Sequence, residues 1–329
     1  MKILGIETSC DETAAAIVED GTKIISNVIA TSSEMHIKTG GVIPENAARQ
    51  QIKSIIPVIN EALGKEKIDA IAVTVGPGLI GSLLVGVETA KTLSKIWDKP
   101  IIPVNHLVAH IYANWIGNTP KFPALALVVS GGHTDLVLMK GHGKIEWIGG
   151  TRDDAAGEAF DKCARLLGLP YPGGPSISKE AELFRAKNPK QKLDMFPRPM
   201  IDDESFDLSF SGLKTAVLRG VEGKKINIGE ISANIEEAIV DSLVYKSIRA
   251  IKKFKPSSFL LAGGVAANLR LREKFKDETT SGDPQAELHV PEAKLCTDNA
   301  VYIASFAHFN YKPIDWKKIT ANPELTITA

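Results

Sequence analysis

The chain has 329 residues, 44% of them hydrophobic and 24% charged, a balance of ordinary soluble globular proteins that excludes disorder. That length is too great for one compact core and suits two lobes of about 150 residues each. The 39 basic side chains match the 39 acidic ones, which excludes strong unaided nucleic-acid binding, because such affinity comes from cations displacing phosphate counterions. An RNA partner would need a local basic patch or helper subunits. Cys10, Cys163 and Cys296 are far apart and odd in number, against a disulfide framework or a Cys-rich zinc site. The first apolar run ends after Ile6 with acidic residues behind it, unlike a signal or transit peptide. No stretch approaches the roughly 20 apolar residues of a membrane span, so a cytoplasmic location is expected.

In chain order, a strand over Ile3–Glu7, a polar turn over Thr8–Thr13, a second strand over Ala14–Val18, the turn Glu19-Asp20-Gly21 and a third strand form the opening unit. The same plan returns between Ala124 and Ile148: strand Leu125–Ser130, turn Gly131–Asp135, strand Leu136–Met139, turn Gly141-His142-Gly143 and a third strand. Each half then shows a strand, a glycine turn and a helix. The first set is Ala70–Val75, Gly76-Pro77-Gly78 and a helix through Lys95; the second is Ser258–Ala262, Gly263-Gly264 and a helix near Ala266–Lys276. Antiparallel hairpins followed by strand-to-helix crossovers, twice over, describe an α/β protein of two ribonuclease-H-like lobes, as in the actin, Hsp70 and sugar-kinase superfamily, with an active site expected in the interlobe cleft. The expected N-terminal lobe is 1–118, completed by a C-terminal helix over about 299–329, and the C-terminal lobe is 119–298. The Pro- and Gly-rich stretch of about 168–211 has little periodicity and reads as a surface insertion of loops. The apolar positions Ile231, Ile235, Ala238, Ile239 and Ile248 favour a long packing helix from Asn227 to Phe254.

Several groupings carry chemistry. His106 and His110 stand four apart in a segment that reads as a helix, so both imidazoles share one face, the spacing two metal ligands need. Asp298, in Leu295-Cys296-Thr297-Asp298-Asn299, is the best third ligand, its structural alternative being a helix N-cap. A zinc peptidase would carry Glu directly after the first His; Leu107 stands there. The turn Ser130-Gly131-Gly132-His133-Thr134 offers unshielded backbone amides to an anion such as phosphate, although a plain hairpin is the commoner reason for such a turn. Gly263-Gly264-Val265-Ala266-Ala267-Asn268, between a strand and a helix, suits close approach to a nucleotide. Asp153, Asp154, Glu158 and Asp161 crowd one helix start, and Asp161, beside Phe160, is the one expected in a pocket. Two basic runs could meet RNA: Arg249, Lys252, Lys253 and Lys255, or Arg270, Arg272, Lys274 and Lys276.

Taken together, Gly5-Ile6-Glu7-Thr8-Ser9-Cys10-Asp11-Glu12-Thr13, Gly76-Pro77-Gly78, His106–His110, Val129–Thr134, Phe160-Asp161-Lys162, Tyr171–Pro175, Phe210–Lys214, Gly263–Asn268 and Cys296–Asn299 resemble, in order and from end to end, the tRNA threonylcarbamoyladenosine transferase family (TsaD, formerly Gcp). The resemblance implies an actin/Hsp70-type fold and one divalent metal ion, iron ahead of zinc, on His106, His110 and Asp298. It also implies a threonylcarbamoyl-AMP substrate bound by Val129, Ser130, Gly131, Gly132 and His133 together with Asp161, Gly174 and Asn268. Many relatives carry Asp where Ser178 stands, so a further ribose contact there differs in this chain. Val128 and His133 stand where archaeal and eukaryotic members have Tyr and Asn, which marks a bacterial type. Its implied partners are tRNA and the helpers TsaB and TsaE, with TsaC or its relative supplying the adenylate and no membrane involved. Asp11 or Glu12 is the expected proton acceptor, with His133 next. The rival readings are an ATPase or kinase of the same fold, a metalloprotease, and a non-catalytic scaffold that would have no need of the three ligand candidates.

Overall fold

The computed structural model describes residues 1–32, 41–223, 225–281 and 286–329. The chain forms two compact units. The first comprises Met1–Pro120, His142–Lys144 and Pro291–Ala329, and the second Lys121–Gly141 and Ile145–Val290. Asp298 therefore belongs with the first unit.

In the first unit, β1 (Lys2–Glu7), β2 (Glu12–Glu19), β3 (Lys23–Thr31), β4 (Ala70–Gly76) and β5 (Ile101–Asn105) form one sheet in the order β3-β2-β1-β4-β5. The β1–β2–β3 ladder is antiparallel, whereas β4 and β5 join in parallel. Alternation along these strands sorts their side chains by face. Ile3, Ala14, Ala16, Val18, Ala70, Ala72, Ile102 and Val104 pack against Val301, Tyr302, Ile303, Ala304 and Ala307 of the helix Val301–Phe309. Leu4, Ile6, Ala15, Ile17, Ile71 and Val73 pack on the opposite face against the helices α1 (Pro44–Leu63) and α2 (Ile80–Trp97). Gly5 is required where Val301–Phe309 crosses the sheet, since a Cβ there would collide with the Ala300 carbonyl oxygen.

In the second unit, β6 (Ala124–Val129), β7 (Thr134–Gly141), β8 (Lys144–Gly150), β9 (Ser258–Ala262) and β10 (Glu287–His289) form the order β10-β9-β6-β7-β8. That is the first sheet's order repeated, with β6 antiparallel to β7 and parallel to β9. The duplicated plan read from the sequence is thus present in the strand order itself. Both sheets are mixed and carry helices.

Three expectations change. The 168–211 stretch is not loop throughout: Gly173–Lys187 is a helix whose buried Ile177 and Ala181 face the long helix Ile228–Phe254. Only two apolar anchors in fifteen residues explain why its periodicity was faint. The C-terminal helix covers Val301–Phe309 rather than 299–329, and Pro313, which has no amide to donate, lies in the extended tail behind it. The helix expected from Ala266 to Lys276 is a short turn, Gly264–Ala267, followed by Leu269–Ser281. No helix among the described residues is long and apolar enough to cross a membrane.

The long helix Ile228–Phe254 is tied to Leu269–Ser281 by ions. Glu237 accepts from Arg270 at 2.9 Å and Lys274 at 2.6 Å, and Lys274 also pairs with Asp241. Burial opposes the charge on Glu237, but the two cations overcome it and pull its pKa down to about 2 from 4.5. A carboxylate depressed in the folded state stabilises above its unfolded pKa and ceases to do so as pH falls through the folded value. Glu237→Gln is expected to lower stability by on the order of 2–3 kcal/mol at neutral pH. The wild-type advantage should shrink below about pH 4.5 and vanish near pH 2, as read by urea melts across that range.

Candidate metal centre and substrate loops

The strand β5 hands the chain directly to the helix α3 (His106–Tyr112). Asn105 makes the junction, its Oδ1 accepting from the amides of Leu107 at 3.0 Å and Val108 at 3.3 Å and its Nδ2 donating to the Thr326 carbonyl at 2.8 Å. With the helix start fixed, the four-residue spacing brings His106 Nε2 and His110 Nε2 to 3.2 Å. Asp298 Oδ1 lies 3.3 Å from His110 Nε2 and 3.7 Å from His106 Nε2. Asp298 does not cap the next helix, whose N-cap residue is Ala300; the Val301 amide donates instead to Asn299 Oδ1 at 3.0 Å, leaving the Asp298 carboxylate with the histidines.

Two ring nitrogens and a carboxylate oxygen gathered within 4.8 Å are too close to be left without a cation or proton among them. Their separations of 3.2, 3.3 and 3.7 Å match neighbouring ligands on a divalent ion with bonds of about 2.0–2.2 Å. His110 is 1% exposed and its Nδ1 has no hydrogen-bond partner among the described residues. The donor set fits a divalent cation. Burial opposes charge on His106, but Glu7 and Asp298 raise its pKa to about 9. His110 moves the other way, lowered by burial and by His106. Burial works against the Asp298 carboxylate too, yet the two imidazoles hold it below the usual range.

Sequence reading missed the residues behind these ligands. Glu7, at the end of β1 and 0% exposed, accepts from the Ser9 amide at 2.5 Å and the Thr74 hydroxyl at 2.6 Å, and meets His106 Nδ1 at 3.0 Å. Tyr302, fully buried, sets its ring 4.4 Å from that of His110 and its hydroxyl 3.3 Å from His110 Nε2. An acidic residue closing an otherwise apolar strand was the available sign for Glu7. Nothing in the sequence marked Tyr302.

Asp11 and Glu12 are half-buried beside this cluster. Gln51 holds their loop by donating to the Cys10 and Glu12 carbonyls, and Ser82 by donating to that of Cys10. Glu12 Oε1 accepts from Thr31 at 3.0 Å, while Oε2 is buried with no partner among the described residues. Burial, then the charges of Asp11 and Asp298, raise Glu12 to about 7 from 4.5, the Thr31 hydrogen bond opposing them.

In the second unit the predicted substrate residues follow the ends of two parallel strands. Val129 ends β6, and Ser130 to His133 make a tight turn in which the Ser130 amide donates to the His133 carbonyl and the His133 amide to Ser130 Oγ. Gly131 and Gly132 are exposed with open space where a Cβ would stand. Gly263 follows β9 at φ +88, so close to Val129 that a Cβ would strike its carbonyl oxygen. Asn268 caps the Leu269 helix through the Leu271 amide and donates Nδ2 to Ser178 Oγ at 2.9 Å and Glu236 Oε1 at 2.7 Å. Glu236, 1% exposed and paired with Arg185 at 2.6 Å, was also missed. Asp161 accepts from the Gly173 amide at 2.7 Å, and burial raises its pKa, with the Gly173 and Gly174 amides opposing. It thus holds the helix start that carries Gly174, and of the crowded carboxylates Asp153 instead binds the Ser209–Ser211 segment.

Much of both basic runs is already engaged. Arg249 donates to the Asp203 and Glu204 carbonyls, Arg272 to that of Ala266, and Arg270 and Lys274 pair with Glu237.

The family model for tRNA N6-adenosine threonylcarbamoyltransferase, TsaD, matches residues 23–305. The chain belongs to this family. Relatives bearing that name are 51% identical over 318 residues in Dehalococcoides mccartyi, covering 94% of each chain, and 50% identical over 313 residues in Bacillus licheniformis, covering 92% of this chain and 90% of that one. A third, in Thermomicrobium roseum, is 47% identical over 345 residues, covering 94% and 92%. Among solved structures, HypF of T. kodakarensis superposes with a TM-score of 0.61 at 14% identity, over 94% of this chain and 47% of that one. Component A of Acidaminococcus fermentans (R)-2-hydroxyglutaryl-CoA dehydratase superposes at 0.54 and 16% identity, over 94% and 98%. These likenesses show that the fold is shared with both proteins.

Because Asn105 serves both the helix start and the C-terminal tail, Asn105→Ala should cost about 1–2 kcal/mol in thermal or urea melts. It should also speed hydrogen exchange at the Leu107 and Val108 amides, whose acceptor it removes.

Proposed function

We propose that the chain transfers the threonylcarbamoyl group of threonylcarbamoyl-AMP to the exocyclic amine of the adenosine beside the anticodon in tRNAs reading ANN codons, releasing AMP. The observation that carries this reading is a complete His106, His110, Asp298 cluster in a chain matched by the transferase family over residues 23–305. A scaffold would have no need of that cluster, and a peptidase would need a base where Leu107 stands.

In the reaction the amine nitrogen forms a bond to the carbamoyl carbon, the carbon–oxygen bond to phosphate breaks, and AMP departs with that oxygen. The leaving group is already activated, so positioning and charge stabilisation dominate. In the second unit, the exposed Gly131 and Gly132 turn and Gly263 offer backbone to the adenylate, with Asn268, Ser178, Asp161 and Gly174 shaping its seat. A divalent cation held by His106, His110 and Asp298, iron or zinc by the chemistry of the donors, supplies Lewis acidity toward the carbamoyl oxygen. Glu12 takes the proton that the attacking amine loses: its free Oε2 has no competing partner among the described residues and its pKa of about 7 suits a base at neutral pH. Asp11 supports it by charge. With no net charge to draw RNA, the chain relies on helper proteins of the TsaB and TsaE kind to present tRNA, and a tRNA substrate sets the reaction in the cytoplasm.

Labelled threonine should pass from preformed threonylcarbamoyl-AMP to unmodified tRNA when chain and helpers are combined, and His110→Ala should abolish the transfer. Absence of label with the wild type, metal and helpers all supplied overturns the reading. The wild-type rate should rise with pH through about 7 as Glu12 ionises. Glu12→Gln should lower it by about 100-fold or more and flatten that rise; an unchanged profile in the variant removes Glu12 from the mechanism.

A further inference from the structure

We propose that Glu7 is a positioning residue that fixes the tautomer of His106 and thereby sets the affinity of the metal centre, an inference that rests on the reading of His106, His110 and Asp298 as a cation site. Glu7 has no exposed surface, and a buried carboxylate persists only with donors around it. It has three: the Ser9 amide on Oε1 at 2.5 Å, and on Oε2 the Thr74 hydroxyl at 2.6 Å and His106 Nδ1 at 3.0 Å. An ionised carboxylate only accepts, so the shared proton lies on Nδ1. Ser9 Oγ, at 3.3 Å from the same nitrogen, is the more distant neighbour. With Nδ1 protonated, the lone pair of the neutral ring is on Nε2, the atom that faces His110 and Asp298.

The arrangement is stiff because it is built on the sheet. Glu7 ends β1 and Thr74 lies in β4, which pair in parallel with Ile6 opposite Val73. The carboxylate is therefore held by a neighbouring strand on one side and its own chain on the other. His110 has no equivalent support, its Nδ1 being without a partner among the described residues. Of the two imidazoles, only His106 has a partner on Nδ1 among the described residues, and a carboxylate behind a ligating imidazole also makes it a better donor.

Glu7→Gln tests this with little change in shape. The Ser9 amide is a fixed donor and requires the oxygen of the new carboxamide at the Oε1 position, so the amide nitrogen occupies the Oε2 position. There it donates to His106 Nδ1, and the Thr74 hydroxyl turns to accept. His106 must then carry its proton on Nε2, where it blocks the ligand position. The control is Thr74→Val, which removes a hydrogen bond to the same oxygen and leaves the carboxylate–imidazole pair intact.

Zinc affinity is measured by chelator competition on the metal-free full-length chain, and the imidazole tautomer by long-range proton–nitrogen NMR at a pH where the ring is neutral. Glu7→Gln should weaken zinc binding about 10- to 100-fold and move the His106 proton from Nδ1 to Nε2. Thr74→Val should lower the melting temperature while keeping zinc affinity within about twofold of wild type and the proton on Nδ1. Glu7→Gln that binds zinc like the wild type, or Thr74→Val that loses as much affinity as Glu7→Gln, overturns the proposal. If the wild type itself takes up no zinc, the metal-site reading fails instead, and the tautomer measurement tells the two failures apart.

Discussion

The parallel pairing of β1, β4 and β5 is the constraint on which the first unit's chemistry depends. Its register sets Ile6 beside Val73 and Thr74 beside Val104, so the end of β1 lies near Thr74 and the end of β5 beside Gly76, the last residue of β4. Glu7 ends β1, Thr74 lies two residues before the end of β4, and His106 comes directly after β5. In open α/β sheets the carboxyl ends of parallel strands are where backbone ladders stop and side chains and loops are free to converge. A one-residue slip in either pairing would turn an alternating strand over, sending Glu7 or Thr74 to the opposite face. The apolar halves of these strands, packed on both faces, hold the register that the few polar residues use.

Charge is handled differently in the two units. In the first, Glu7, His106, His110 and Asp298 are concentrated with few neutralising groups, so that the pKa values of the two imidazoles are driven apart and Asp298, with a side chain 23% exposed, is the least buried member. In the second, three carboxylates of the long helix are matched to guanidinium and ammonium groups: Glu236 to Arg185, Glu237 to Arg270 and Lys274, Asp241 to Arg198. The first pattern leaves coordination capacity to be filled, and the second is satisfied as it stands. This difference separates a cluster suited to a cation from ion pairs that tie helices together.

Sequence reading recovered what is repeated or locally spaced. The duplicated hairpin plan survived into the strand orders because turn signals and apolar runs are local, and the histidine pair was visible because four-residue spacing on a helix is a statement about one face. What it could not see depends on contacts across long separations. Glu7 meets Thr74 and His106 over 67 and 99 positions, and Glu236 reaches Asn268 over 32. The helix Gly173–Lys187 was hidden because Pro175 and its glycines signal a turn, while the Asp161 carboxylate and packing on Ile228–Phe254 hold it helical. The two basic runs stayed open for the opposite reason: composition displays the cations but not the carbonyls and carboxylates that receive Arg249, Arg270, Arg272 and Lys274.

The repeated sheets also bear on how His106, His110 and Asp298 come together. β5 and β10 occupy equivalent edge positions in the two strand orders. The segment after β5 carries His106 and His110, and the segment after β10 carries Asp298. Each source of the cluster thus lies beyond the last strand of one copy of the same unit, and the chain's return to the first unit at Pro291 puts Asp298 beside the two histidines. The first sheet packs apolar residues on both faces. The cluster stands at strand ends, where a change of a few side chains alters chemistry while the packed faces that hold the register stay as they are.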